Sequence, residues 1–98
     1  MGVLTLFGRV TGETLGEGVH FIGEGRSALS GDLPVNPSGG LKSFGHPIGA
    51  SGVRMIYEVV TQLRGQAGAR QVRDADLGLV HNLGGPGSVA CVIVLGRP

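Results

Sequence analysis

Asn36-Pro37-Ser38-Gly39-Gly40-Leu41-Lys42-Ser43-Phe44-Gly45-His46-Pro47-Ile48-Gly49-Ala50-Ser51-Gly52 is the stretch on which the reading of this chain turns. Five glycines and two prolines in seventeen residues cannot hold regular structure throughout. Its end runs into a helix. Val53, Ile56, Val59, Val60 and Leu63 recur at three- and four-residue steps and make one apolar stripe, while Arg54, Glu58, Gln62 and Arg64 fall mostly elsewhere. Pro47 suits a first helical turn, and Gly65 or Gly68 supplies the stop. The spacing predicts a helix over about 49–66.

Downstream, Arg70 to Asp76 is a polar connection. Leu77-Gly78-Leu79-Val80-His81 reads as a strand, Asn82-Leu83-Gly84-Gly85-Pro86-Gly87 as a turn, and Val89 to Leu95 as a second strand. An apolar run without alternation is the mark of a strand covered on both faces. The two strands are expected to pair antiparallel across the glycine turn. Upstream, Val3 to Val10 and Val19-His20-Phe21-Ile22 are strand candidates. Thr11 to Gly18, Gly23 to Ser27 and Ser30-Gly31-Asp32-Leu33-Pro34 are breaks between them.

The chain has 98 residues, room for at most one small domain with a marginal core. Twenty glycines, about a fifth, far exceed the usual share, but without a Gly-X-Y period. Eight basic and seven acidic residues leave a net charge of +1 and no basic run, which argues against nucleic acid. A single cysteine, Cys91, excludes an internal disulfide framework and points to a reducing, cytoplasmic setting. Its place inside an apolar strand reads as inert packing. The first residues lack the pattern of a signal peptide or a myristoylation site, and no apolar run is long enough to span a membrane. The three separated histidines lack ligand spacing, so no metal site is expected.

Two places could carry chemistry. His46 is held between Gly45 and Pro47 at the start of the helix. The positive end of a helix disfavours an imidazolium, and a neutral imidazole can take a proton from a thiol or donate a hydrogen bond to an oxyanion. The plainer alternative is a helix cap with glycines packed on a sheet. The other place is His81-Asn82-Leu83 before Gly84-Gly85-Pro86-Gly87, where backbone N–H groups could form an oxyanion hole. Its plainer alternative is a hairpin turn.

In order and spacing these pieces resemble the C-terminal end of a thiolase, over about residues 19–98. Asn36-Pro37-Ser38-Gly39-Gly40, then Gly45-His46-Pro47-Ile48-Gly49-Ala50-Ser51-Gly52, then Gln62-Leu63-Arg64-Gly65 and the terminal Gly-Gly-x-Gly turn carry the likeness. Gly23-Glu24-Gly25 through Gly31-Asp32-Leu33-Pro34-Val35-Asn36 looks like the lead-in of sterol-carrier-protein-type and archaeal-type thiolases. The resemblance implies an α/β fold: a partial thiolase-like layer forming a single domain, with a mixed sheet, the one main helix and the C-terminal strand pair. It implies that His46 activates a nucleophilic cysteine and hydrogen-bonds the thioester oxygen. His81 stands where ordinary thiolases have the acid/base cysteine of a Cys-x-Gly motif, with Leu83 at the glycine. That departure is similar to the sterol-carrier-type branch, and the Leu83 backbone N–H remains a candidate oxyanion donor.

The family's nucleophilic cysteine and its Asn-Glu-x-Phe asparagine belong upstream of this segment, and Cys91 lies past the turn. The resemblance therefore implies the C-terminal fragment or subunit of an acyl-CoA acyltransferase, an acetyl-CoA acetyltransferase by family, that is inactive alone. Coenzyme A thioester is the expected substrate of a completed site, and no covalently bound cofactor is expected. A thiolase N-terminal half or a second copy of the chain is the expected partner. The alternative is a non-catalytic thiolase-like module that binds another chain or itself.

Overall fold

A computed structural model describes residues 18–98, which fall in two compact units divided after Val35. The strand expected over Val3 to Val10, and nearly all of the loop expected from Thr11, lie outside the described residues.

In the first unit, helix α1 spans Gly18–Gly23. This corrects the strand expected at Val19-His20-Phe21-Ile22. Four apolar-leaning residues are too few for periodicity to separate the two states, and here the backbone satisfies itself locally. Glu24 N–H bonds the His20 carbonyl at 2.9 Å and Arg26 N–H bonds that of Phe21 at 3.3 Å. Phe21 is buried, with the Arg26 guanidinium 4.4 Å from its ring centroid. Arg26 also pairs with Asp32 at 2.7 Å, and its carbonyl takes the Leu33 N–H, so the Ser30 to Pro34 stretch is a turn as expected.

The second unit, Asn36–Pro98, is a small α/β assembly. Helix α2 spans Gly40–Phe44, helix α3 Ser51–Leu63, a 3₁₀ turn Gly68–Arg70, strand β1 Leu77–Gly84 and strand β2 Val89–Gly96. The strands pair antiparallel from Leu77 opposite Gly96 to Gly84 opposite Val89, as the apolar runs and the glycine turn indicate. Gly87 N–H bonds the Gly84 carbonyl at 3.1 Å to close the connection. Among the described residues the sheet has these two strands, without a parallel neighbour.

Helix α3 is shorter at both ends than the apolar stripe suggests. At its start the N–H groups of Ala50 and Ser51 both bond the Pro47 carbonyl, at 2.8 and 2.9 Å, so Pro47 builds a separate turn ahead of the helix. At its end Gln66 N–H reaches Thr61 O and Gly65 N–H reaches Gln62 O, each at 3.0 Å. That crossed pair is a Schellman closure, and it requires the left-handed φ of +69° that Gly65 supplies.

The helix lies on one face of the hairpin. Val59 touches Gly78, and Val80 is 4% exposed. Leu63 and Ala67 complete the buried apolar set. Alternation puts Gly78, Val80 and Asn82 on this face, with their partners Leu95, Ile93 and Cys91. The opposite face carries Leu77, Leu79, Leu83, Val92 and Val94, all exposed, Leu77 by 75%. Here the structure corrects the expectation that the Val89 to Leu95 run is covered twice: one helix covers one face. Cys91, expected to be buried packing, is exposed although it lies on the α3 face, since the helix shields that face only in part.

Gln62 also departs from its sequence reading. Polar in type, it is buried, and it ties the chain after α3 back onto the helix. Its Nε2 donates to the Arg70 carbonyl at 2.8 Å and its Oε1 accepts the Val72 N–H at 2.8 Å. Gln71 answers by donating to the Gln62 carbonyl at 2.9 Å. Arg70 grips Glu58 with two parallel bonds, Nε to Oε1 at 2.9 Å and Nη2 to Oε2 at 3.0 Å. This anchor feeds the connection into β1 at a fixed place, and so determines which β1 residues reach the start of α3.

Candidate functional site

His46 follows Gly45, whose φ of +77° is closed to most side chains and turns the chain out of α2. The histidine lies in the exposed segment between α2 and α3. Behind it the Arg54 guanidinium sits 3.4 Å from the Phe44 ring centroid, a cation–π contact that braces α2 against α3. His46 Nδ1 is 2.7 Å from Ser51 Oγ, and Ser51, 5% exposed, bonds the Pro47 carbonyl through its hydroxyl at 3.2 Å. One edge of the imidazole is thus held by the first residue of α3.

Strand β1 brings its own end to the same helix terminus. A Cβ on Gly52 would lie 2.8 Å from Asn82 Nδ2, so the asparagine occupies the space that glycine leaves. Ile48, Gly49, Gly52, Asn82 and Cys91 border a shallow cavity of about 270 Å³ there. His81, one residue earlier, belongs to the opposite face of the hairpin and is half-buried. The strand therefore brings Asn82, rather than His81, to the α3 side of the sheet. Ser51 and Asn82 were legible only as neighbours of the singled-out histidines. Strand alternation, applied to the His81-Asn82 pair, was the signal that separates them.

Leu83 is defined by the hydrogen-bond ladder. Arg97 N–H bonds the Asp76 carbonyl at 3.0 Å, one step beyond the Leu77–Gly96 pair. In an antiparallel ladder bonded and non-bonded pairs alternate, so Gly78, Val80, Asn82 and Gly84 turn their backbone groups toward β2. Leu77, Leu79, His81 and Leu83 turn theirs away from it. Among the described residues no backbone partner meets the Leu83 N–H. Nor do the described residues place three His, Cys, Asp or Glu side chains together as a metal ion requires.

Comparison with known proteins adds the following. The thiolase C-terminal domain-like family matches residues 12–97. An acetyl-CoA acetyltransferase of Methanothermobacter thermautotrophicus is 52% identical over 82 residues, covering 84% of this chain and 21% of that protein. Sterol carrier protein 2 of Homo sapiens is 45% identical over 78 residues, covering 80% of this chain and 14% of that protein. The benzoylsuccinyl-CoA thiolase subunit BbsB of Thauera aromatica is 41% identical over 71 residues, covering 71% of this chain and 18% of that protein. The chain thus spans about a fifth or less of the length of these relatives.

Proposed function

Because the chain belongs to the thiolase family, as its C-terminal domain, we propose that it supplies one wall of an acyl-CoA acyltransferase site whose nucleophilic cysteine comes from a larger thiolase part. The observation that carries this reading is the arrangement at the start of α3: an exposed imidazole, held on one edge by Ser51, beside a strand end with an outward backbone N–H.

In the completed site the His46 imidazole takes the proton of the cysteine thiol. The thiolate attacks the carbonyl carbon of the coenzyme A thioester, and the carbonyl oxygen becomes an oxyanion. The imidazolium and the Leu83 N–H donate hydrogen bonds to oxyanions of this kind. Collapse of the tetrahedral intermediate breaks the bond to coenzyme A sulfur, which leaves with the proton from the imidazolium. The acyl group then rests on the cysteine. Cys91 borders the same cavity but is not assigned that part, because the family's nucleophilic cysteine belongs upstream of this segment and Cys91 lies past the turn, on β2 opposite Asn82. Alone, the chain is therefore inactive. His81, turned to the other face of the sheet, has no part in the first proton transfer.

The partner reading rests on the exposed face of Leu77, Leu79, Val92 and Val94 and on the outer edge of β1, which no other strand pairs among the described residues. Apolar surface and unpaired strand edges of this size call for cover. A thiolase portion is the cover this reading assigns, and a second copy of the chain is the other candidate.

The test is to mix the chain with a thiolase portion that carries the nucleophilic cysteine but ends before this domain, and to follow thiolysis of acetoacetyl-CoA. Activity appears on mixing, and His46→Ala lowers it by about 10²–10⁴-fold. Activity that survives His46→Ala overturns the base assignment. A stable homodimer with no activity beside any thiolase portion favours the non-catalytic module.

A further inference from the structure

We infer that Ser51 is a positioning residue that fixes which nitrogen of His46 carries the proton: Nδ1 is held protonated against Ser51 Oγ, leaving the Nε2 lone pair free. Two short contacts meet at one hydroxyl. His46 Nδ1 lies 2.7 Å from Ser51 Oγ, and Ser51 Oγ lies 3.2 Å from the Pro47 carbonyl oxygen. A serine hydroxyl has a single hydrogen, and a carbonyl oxygen has none. If the hydroxyl hydrogen points to Nδ1, the contact with Pro47 sets lone pair against lone pair. If it points to Pro47, the oxygen accepts from Nδ1–H, and both contacts contain a hydrogen. The second arrangement puts a hydrogen in both contacts, as a short chain running from Nδ1–H through the hydroxyl to a Pro47 carbonyl that also accepts the Ala50 and Ser51 N–H groups.

Burial sharpens the preference. Ser51 is 5% exposed, so water competes poorly for its hydroxyl, and a serine bond to the carbonyl four residues back is a familiar local alternative at a helix end. The neutral ring of a solvated histidine side chain prefers the other form, with the proton on Nε2. The chain through Ser51 therefore works against the intrinsic tendency and prepares the ring as an acceptor. When Nε2 then takes a proton, Nδ1–H stays bonded to Ser51 and the new Nε2–H becomes a donor. One fixed ring orientation thus serves base and donor in turn. The role assigned to Ser51 rests on His46 being the base, but the proton position is measurable without turnover.

The experiment is a long-range ¹H–¹⁵N correlation of the full ¹⁵N-labelled chain at about pH 8.5, where an ordinary imidazole is neutral. The His46 ring is assigned by its loss in His46→Gln. Nδ1 is expected at the shift of a protonated ring nitrogen and Nε2 at that of an unprotonated one. Ser51→Ala moves the ring to the mixture dominated by Nε2–H, and Ser51→Thr, which keeps the hydroxyl, restores the wild-type pattern. The Val80 and Leu63 methyl signals report whether each variant keeps its core. If Ser51→Ala does not fold, the wild-type ring and Ser51→Thr decide the matter. A wild-type ring protonated on Nε2, or a folded Ser51→Ala with unchanged ring shifts, overturns the inference. Such a result beside thiolysis that still depends on His46 leaves the proposed function standing. A ring fixed on Nδ1 beside thiolysis indifferent to His46→Ala defeats the function instead.

Discussion

At the scale of single residues, the most strongly committed charge is not in the candidate site. Glu58 is held by two bonds to Arg70, and its carboxyl is kept below the ordinary 4.5 first by that hydrogen bond. Burial opposes the shift, while the Gln62 hydrogen bond and the charges of Arg70 and Arg54 support it. A carboxyl lowered in the folded state contributes stability above its unfolded value and loses it as pH falls through the folded one. Glu58→Gln is therefore expected to cost about 1 kcal/mol near neutrality, since Arg70 is 41% exposed and solvent screens the pair. The gap to wild type, measured near neutrality and again in acid, should narrow as the pH falls below 4.5. Urea unfolding at the two pH values measures it, and a gap that widens in acid contradicts the assignment. The bidentate pair was invisible in sequence, because Glu58 and Arg70 are joined only once the 3₁₀ turn folds back along α3.

At the scale of elements, α3 and the hairpin were legible because their signals are long. Five apolar residues at helical spacing, and seven consecutive apolar residues after a glycine turn, outweigh local ambiguity. The Val19-His20-Phe21-Ile22 stretch was not legible, since so short a run suits helix or strand and its own turn hydrogen bonds decided the state. Packing between α3 and the hairpin depends on Val80, the strand residue that the helix buries most. Val80→Ala removes two methyl groups there and is expected to cost about 2 kcal/mol in chemical denaturation. Gly78→Val pushes in the opposite sense. Any Cβ at residue 78 meets Val59, so the helix must shift or the strand must bend. A loss of about 1–3 kcal/mol is expected. If Gly78→Val is neutral, α3 does not press on β1 at that point.

At the scale of the whole molecule, the governing fact is an apolar sheet face left exposed among the described residues. Residues of both strands contribute to it, and among the described residues no strand pairs with the outer edge of β1 beside it. The chain purified alone should self-associate, visible by light scattering as a mass above that of one chain. Val92→Lys together with Val94→Lys places two charges on the exposed face while leaving the α3 side untouched. That pair should lower the self-association and weaken capture by a thiolase portion, with the fold unchanged by circular dichroism. A double variant that associates as strongly as wild type would move the interface elsewhere. Among the described residues no helix is long and apolar enough to cross a membrane, so this face is not part of a spanning helix.

The sequence by itself determined the family, the α/β class, the helix and the hairpin, and it singled out His46 as the candidate base. Each of these is written in local spacing: apolar residues at three and four, a glycine turn between apolar runs, and a histidine locked between glycine and proline. Tertiary structure alone decided that Ser51 holds the imidazole, that Asn82 and not His81 faces the helix, and that Gln62 is buried. It also decided that Val89 to Leu95 is covered once. Periodicity reports which residues share a face. Which face meets the helix, and which is left bare, depends on where the anchored connection after α3 delivers the first strand.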